Sequence, residues 1–157
     1  MKLLVLSDSH GDIHSLEKVI EMHNDANAIL FLGDGERDFS KLDIEIKPSL
    51  YIVSGNCDFC SFEPTVRMLN LGGKKIMMTH GHEYKVKYSP EYLINNAKEK
   101  GIDIVLYGHT HTPDTRYGDI NVMNPGSLSR HGGSGSTYGL IDITEKGEIF
   151  LNVAKLK

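Results

Sequence analysis

A short apolar run leads directly into two side chains that can bind a metal in the segment Leu3-Leu4-Val5-Leu6-Ser7-Asp8-Ser9-His10. Short apolar runs that end in turn residues are typical of buried strands. The same arrangement returns four more times along the chain, in residues 29–34, 50–56, 76–82 and 104–111. Open α/β sheets bind ligands beyond the carboxyl ends of their strands. The recurrence therefore predicts five strand ends that converge on one site.

Two helices are predicted between these strands. Residues 13–23 carry apolar side chains at helical spacing, and Asp12 stands at the N-cap position. Residues 90–100 follow Ser89 as a cap and stop at Gly101. Each helix lies between two predicted strands, as the crossover helices of parallel sheets do.

The remaining segments predict antiparallel pairing. A Gly-Gly turn at 72–73 separates runs 66–71 and 74–78, which favours a hairpin. The last third of the chain predicts four short strands, at 115–117, 121–123, 138–143 and 148–153. Strand–helix alternation followed by antiparallel strands predicts an α/β fold in which helices flank two sheets.

Composition restricts the class of protein. The chain has 157 residues, of which 39% are hydrophobic and 24% charged, so we expect one globular domain over residues 1–157. The net charge of −4 argues against a broad nucleic-acid surface. No apolar run approaches the roughly 20 residues of a membrane helix. With only two cysteines and no leader-like segment, a cytoplasmic location is expected.

Seven side chains at the predicted strand ends are candidate metal ligands. Each motif taken singly also fits a turn or a buried histidine, but their order and placement favour a shared site. Imidazole mixed with carboxylate or carbonyl oxygen suits intermediate transition metals better than Mg or Ca. Seven ligands exceed the four of a structural zinc, so two ions that share a carboxylate are expected. The candidates are Asp8, His10, Asp34, Asn56, His80, His109 and His111.

The ordered blocks DSH, GD, GNCD, THGH and GHTH, followed by NPGS, resemble the calcineurin-like metallophosphoesterase superfamily, and most closely its small bacterial phosphodiesterases. The resemblance spans residues 8–127 and implies a four-layer α/β/β/α sandwich. It implies two divalent metal ions, with manganese the first expectation and Fe, Zn, Ni, Co or Mg as alternatives. The implied ligands are Asp8, His10, Asp34 and His111 for one ion, and Asp34, Asn56, His80 and His109 for the other.

The resemblance also implies hydrolysis of a small phosphodiester or another phosphorylated substrate. A hydroxide that bridges two ions about 3.5–4 Å apart would attack phosphorus directly. Many relatives place a histidine after the asparagine as a general acid, whereas this chain has Cys57. The catalytic candidates are therefore Asn56, Cys57, Asp58 and His82, with His82 either an alternative acid or a support for the ligands.

Other interpretations stay open. A non-catalytic metal-binding scaffold of the same fold, which binds proteins, is the main rival. The C-x-x-C spacing of Cys57 and Cys60 raises dithiol redox chemistry. Arg130 and His131 either clamp a phosphate or are exposed loop residues, and residues 124–127 are expected to form a turn bordering the cleft. Edge strands leave a homo-oligomer open.

Overall fold

The computed structural model describes residues 1–129 and 135–157. The described residues form ten strands, two α-helices and two short 3₁₀ helices. The strands are β1 (Lys2–Leu6), β2 (Ala28–Phe31), β3 (Ser49–Ile52), β4 (Val66–Leu71), β5 (Lys74–Thr79), β6 (Ile104–Leu106), β7 (Asp114–Arg116), β8 (Asn121–Asn124), β9 (Thr137–Ile143) and β10 (Ile149–Lys155). The helices are α1 (Ile13–Met22) and α2 (Glu91–Glu99), with 3₁₀ helices at Glu36–Lys41 and His82–Tyr84.

The strands form two mixed five-stranded sheets. The first has the order β10-β9-β1-β2-β3, in which β1, β2 and β3 are parallel. The second has the order β4-β5-β6-β8-β7, in which β5, β6 and β8 are parallel. Antiparallel partners complete each sheet at its edges. The carboxyl ends of the parallel strands carry the loops that hold the candidate ligands.

Alternation along β1 explains how the layers stack. Leu3 and Val5 belong to the core between the two sheets. Leu4 and Leu6 belong to a second core, where α1 covers the outer face of the first sheet. Successive side chains of a strand point to opposite faces, so a fully apolar run marks a strand that is covered on both.

The second sheet is covered in the same way. The outward residues Met77 and Val105 pack with Leu93 and Ala97 of α2, while Ile76 faces the first sheet. The order of layers is therefore helix, sheet, sheet, helix. This arrangement confirms the predicted α/β/β/α class.

Local signals place most element boundaries within one or two residues. Asp12 caps α1, since its carboxylate accepts a hydrogen bond from the Ser15 amide at 3.0 Å. The turn at Gly72-Gly73 has positive φ at both residues, as a tight hairpin requires. Pro90, rather than Ser89, is the N-cap of α2. The hydroxyl of Ser89 still accepts a hydrogen bond from the Glu91 amide at 3.2 Å.

Two local features are not indicated by the sequence pattern. His23 directly follows α1, yet both of its ring nitrogens are buried and its ring lies 5.2 Å from that of Tyr138. The 3₁₀ helix at Glu36–Lys41 has no apolar periodicity and was not predicted. Arg130 and His131 lie outside the described residues. No helix in the described part of the chain is long and apolar enough to cross a bilayer.

Candidate metal centre

The backbone at the candidate ligands is unusual. Seven described non-glycine residues have positive φ, and five of them are candidate ligands: Asp8 (55°), His10 (45°), Asp34 (58°), His109 (67°) and His111 (58°). Such conformations cost about 1–3 kcal/mol each and persist only where the surroundings impose them. Each of these loops turns sharply just after its strand, and the side chains of the loops meet beyond the carboxyl ends of the parallel strands.

A first group joins Asp8, His10 and His111. Nε2 of His111 lies 3.0 Å from Oδ1 of Asp8 and 3.2 Å from Nε2 of His10. Nε2 of His10 lies 3.6 Å from the same Asp8 oxygen. The side chain of Asp8 is buried, and its other oxygen accepts hydrogen bonds from the Ser7 hydroxyl and the His109 amide. One oxygen of Asp8 is thereby left to face the two imidazoles.

A second group joins Asp34, Asn56, His80 and His109. Nε2 of His80 lies 3.1 Å from Oδ1 of Asn56, 3.1 Å from Nδ1 of His109 and 3.3 Å from Oδ2 of Asp34. Four potential ligand atoms therefore face one another across a space of ionic size.

Asp34 connects the two groups. Its Oδ2 lies 3.3 Å from Nε2 of His80 and 3.9 Å from Nε2 of His10. Its Oδ1 accepts a hydrogen bond from the Cys57 amide at 2.7 Å, which fixes the carboxylate plane. Asp34 is thus the side chain through which two adjacent cations could share a ligand.

Hydrogen bonding determines which nitrogen His80 offers. Nδ1 of His80 lies 2.8 Å from the carbonyl oxygen of Leu32, which can only accept, so Nδ1 carries the proton. Nε2 is left facing Asp34 and the other ligand atoms. A backbone carbonyl that binds the far nitrogen is the usual support of a metal-bound histidine.

The charge distribution also suits cations. Burial opposes ionisation of Asp34, but the hydrogen bond and charge of His80 outweigh it and lower the pKa of this carboxyl to about 2. Burial also opposes ionisation of Asp8, yet His10 and His111 hold its pKa well below the usual value. Desolvation, then the charges of His80 and Lys87, lower the pKa of His109 to about 4. The centre therefore presents ionised carboxylates and a neutral His109 imidazole. The same carboxylates raise the pKa of His10 and of His80, so a metal ion would displace the protons that these two imidazoles carry.

Asp58 organises the loops around Asp34. Its Oδ2 accepts hydrogen bonds from the amides of Asp34 (2.7 Å) and Gly55 (2.8 Å). Its Oδ1 accepts from the amides of Gly35 (2.9 Å) and Glu36 (3.0 Å). Both oxygens of Asp58 are thus engaged by backbone amides of the two loops that carry Asp34 and Asn56.

Two glycines permit the close approach of these loops. A Cβ on Gly55 would lie 2.1 Å from Oδ1 of Asp34, and one on Gly33 would lie 2.5 Å from the Gly55 amide nitrogen. Any side chain at either position would separate the loop of Asp34 from the loop of Asn56.

The segment 124–127 was expected as a turn bordering the cleft, but it is buried beneath the centre. The Asn124 amide group donates to the Gly108 carbonyl oxygen at 3.0 Å and to Oγ1 of Thr110 at 2.9 Å. The Ser127 hydroxyl donates to the carbonyl oxygen of Asp8 at 2.9 Å. These bonds tie the GHTH loop and the Asp8 loop to one support, a role that no local pattern indicated.

Cys57 and His82 lie at the edge of the centre. Sγ of Cys57 comes within 4.8 Å of ligand atoms of His10 and Asp34. Desolvation, then the Asp34 carboxylate, raise the pKa of this thiol to about 11. The ring of His82 lies 5.5 Å from that of His80, and its buried Nδ1 has no partner among the described residues. Desolvation and the charge of His80 lower the pKa of His82.

Two supporting residues were missed by sequence reasoning. Asp38 is buried and accepts hydrogen bonds from the Ser9 hydroxyl (2.7 Å) and the Gly11 amide (2.8 Å). Ser7 donates to Asp8 at 2.5 Å. Asp38 contacts residues that are distant from it in sequence, whereas Ser7 contacts its immediate neighbour. Hydrophobic periodicity carries no signal for either contact.

Comparison with known proteins identifies the family of the chain. The family model of the calcineurin-like phosphoesterase superfamily domain matches residues 1–146. The phosphodiesterase YfcE of Escherichia coli K12 is 30% identical over 97% of this chain and 93% of its own length. A Streptococcus pneumoniae TIGR4 crystal structure, of a protein described as a phosphoesterase, superposes with a TM-score of 0.75 at 30% identity and covers 98% of this chain and 96% of that one.

A zinc complex of Vps29 from Entamoeba histolytica shares the fold at 20% identity, with a TM-score of 0.75 and coverage of 98% of both chains. At that identity the likeness extends to the fold alone. The family match and the YfcE relative each cover most of the sequence. This chain therefore belongs to the calcineurin-like phosphoesterase superfamily.

Proposed function

We propose that the protein is a dinuclear phosphodiesterase that acts on small phosphodiesters. The broader class, a metal-dependent hydrolase of phosphoric esters, follows from membership of the superfamily. The observation that supports the finer proposal is the position of the Asp34 carboxylate between two groups of imidazole and oxygen donors.

Each ion has a proposed set of ligands. Asp8, His10 and His111 with Asp34 would hold one cation, and Asp34 with Asn56, His80 and His109 would hold the other. Two bound cations supply a nucleophile at neutral pH and stabilise charge on the phosphoryl oxygens. The residues of the chain orient this centre, because Leu32 fixes the His80 ring and Asp58 fixes the Asp34 turn. The mixed N/O donor set supports manganese as the first metal to test.

The leaving group would receive little help from the chain. A thiol whose pKa is raised to about 11 is a weak acid near neutral pH, and the lowered pKa of His82 leaves that ring unprotonated there. The proposal therefore includes a preference for substrates with good leaving groups. Dithiol redox chemistry is disfavoured, because a redox-active cysteine has a lowered pKa.

The alternative is a scaffold that binds metal and protein without turnover. It is supported by Cys57, which stands at the position of the general acid. A cytoplasmic location is retained as part of the main proposal, because Cys57 and Cys60 are free exposed thiols, which persist best in a reducing compartment.

The test is hydrolysis of bis-p-nitrophenyl phosphate by metal-stripped protein after separate addition of Mn, Ni, Co, Zn and Mg. We expect a transition metal to restore turnover, faster than with p-nitrophenyl phosphate. Asp34→Asn and His109→Ala should each abolish it, while His14→Ala, an exposed histidine on α1, should keep wild-type rates. Absence of turnover with every ion, in protein that binds two ions, would support the scaffold instead.

A further inference from the structure

A cavity of about 180 Å³ adjoins the candidate metal centre. Its wall includes the ligands His10 and Asp34 together with Arg37, Cys57 and Phe59, and is completed by Gly11, Gly35, Asp38 and Asp58. The cavity is therefore continuous with the place where a scissile phosphorus would sit.

Charge on this wall is unevenly compensated. The carboxylate of Asp58 is engaged by four backbone amides, and that of Asp38 by Ser9, Gly11 and the Lys41 ammonium at 3.2 Å. Arg37, in contrast, has no carboxylate within 4.0 Å in residues 1–129 and 135–157. Its guanidinium is an uncompensated cation beside the centre.

Arg37 makes one hydrogen bond to the wall of the cavity. Its Nη2 donates to the carbonyl oxygen of Phe59 at 2.8 Å. The residues that precede Arg37 and Phe59 are also hydrogen-bonded to each other, because the Glu36 amide donates to Asp58. Arg37 is exposed, and its one contact leaves most of its guanidinium N–H groups free beside the cavity. The Phe59 side chain, 75% exposed, forms an apolar rim.

We propose that this cavity binds a second phosphoryl group of the substrate, linked to the scissile one, with Arg37 as the specificity-determining residue. The proposal rests on the phosphodiesterase function above. A guanidinium binds phosphate through paired planar N–H donors, and an isolated simple diester offers it no second phosphate. The substrate class is therefore a diester of pyrophosphate.

A diester of pyrophosphate would be cleaved at the P–O bond that links its two phosphates. Water would form a bond to the scissile phosphorus, and the bridging P–O bond would break. The bridging oxygen would leave on the second phosphate with its electron pair, while the protons of water pass to solvent. A phosphate leaving group, with a pKa of about 6, needs no protonation near neutral pH.

The experiment compares manganese-loaded wild-type protein with Arg37→Ala, Arg37→Lys and Lys47→Ala. Lys47 is exposed and lies two residues before the start of β3, whereas Asn56 follows the end of that strand. Lys47→Ala therefore removes the same charge as Arg37→Ala, but at a position away from the centre. The readout is the ratio of kcat/KM for diadenosine 5′,5′-diphosphate to that for bis-p-nitrophenyl phosphate. We expect this ratio to fall at least tenfold in Arg37→Ala, less in Arg37→Lys and under twofold in Lys47→Ala.

A second readout does not depend on turnover. Calorimetry with methylenediphosphonate should give a Kd at least tenfold weaker for Arg37→Ala than for Lys47→Ala. If bis-p-nitrophenyl phosphate is cleaved but the ratio and the Kd change less than twofold in Arg37→Ala, the assignment of Arg37 is overturned alone. If no variant, including wild type, cleaves either substrate, the proposed function and this inference are both rejected.

Discussion

Replacing Asp58 by asparagine tests whether this carboxylate builds the turn that carries Asp34. Oδ1 and Oδ2 each accept two backbone amides, so no donor can occupy either position without facing two N–H groups. The asparagine side chain would keep one oxygen and place an NH₂ group at the other position, whichever way its amide is turned. Two of the four hydrogen bonds are therefore lost.

The magnitude follows from that count. Hydrogen bonds to charged groups contribute about 1.5–3 kcal/mol each, and Asp58 is only half-buried, so the lower value applies. We expect Asp58→Asn to lower the free energy of unfolding by about 3 kcal/mol. The assay is urea denaturation of metal-stripped protein. Asp142→Asn, an exposed residue of β9 with the same charge change, is the control.

A loss below about 0.5 kcal/mol in Asp58→Asn, the range of ordinary surface substitutions, would refute this reasoning. Manganese affinity measured on the same samples should fall with stability, because the Asp34 amide loses its partner.

Three further predictions concern the same loops and α1. Gly55→Ala should abolish binding of one of the two manganese ions in equilibrium dialysis. The new Cβ would lie 2.1 Å from Oδ1 of Asp34 and would separate the Asn56 loop from the Asp34 loop, so an unchanged stoichiometry would contradict this prediction. Asn124→Ala leaves the buried Gly108 carbonyl without its side-chain donor, so the urea midpoint should indicate a loss of about 1–3 kcal/mol, and no shift would argue against the support described above. Burial, chiefly, lowers the folded-state pKa of His23, so its contribution to stability is present above pH about 6.5 and lost as pH falls below it. His23→Gln should therefore lose less in Tm between pH 7.5 and 5.5 than wild type, and an equal loss would exclude His23 as the cause.

The layers could be predicted because the apolar pattern of each strand shows which of its faces are buried. All residues of the run Leu3–Leu6 are apolar, so the side chains on both faces of β1 must be buried. In the structure the second sheet covers one face and α1 covers the other. The candidate ligands could be grouped because each follows such a strand, and the structure brings all seven together. Their role as ligands stays a prediction.

What could not be predicted depends on contacts between distant residues. Asp58 reads in sequence as a turn residue, and its four amide partners are known only once the two loops meet. Asn124 likewise looks like part of a surface turn until Gly108 and Thr110 are placed above it. The positive φ of His109 and His111 is imposed by packing, since a non-glycine residue seldom adopts that region unaided.

The most direct test measures manganese stoichiometry and phosphodiester turnover in the same titration of metal-stripped protein. We predict two ions per chain, with hydrolysis of bis-p-nitrophenyl phosphate rising as the second ion is bound. Asp34→Asn should lose both the two-ion stoichiometry and the hydrolysis. Full turnover with one ion per chain, or two bound ions without turnover, would contradict this prediction.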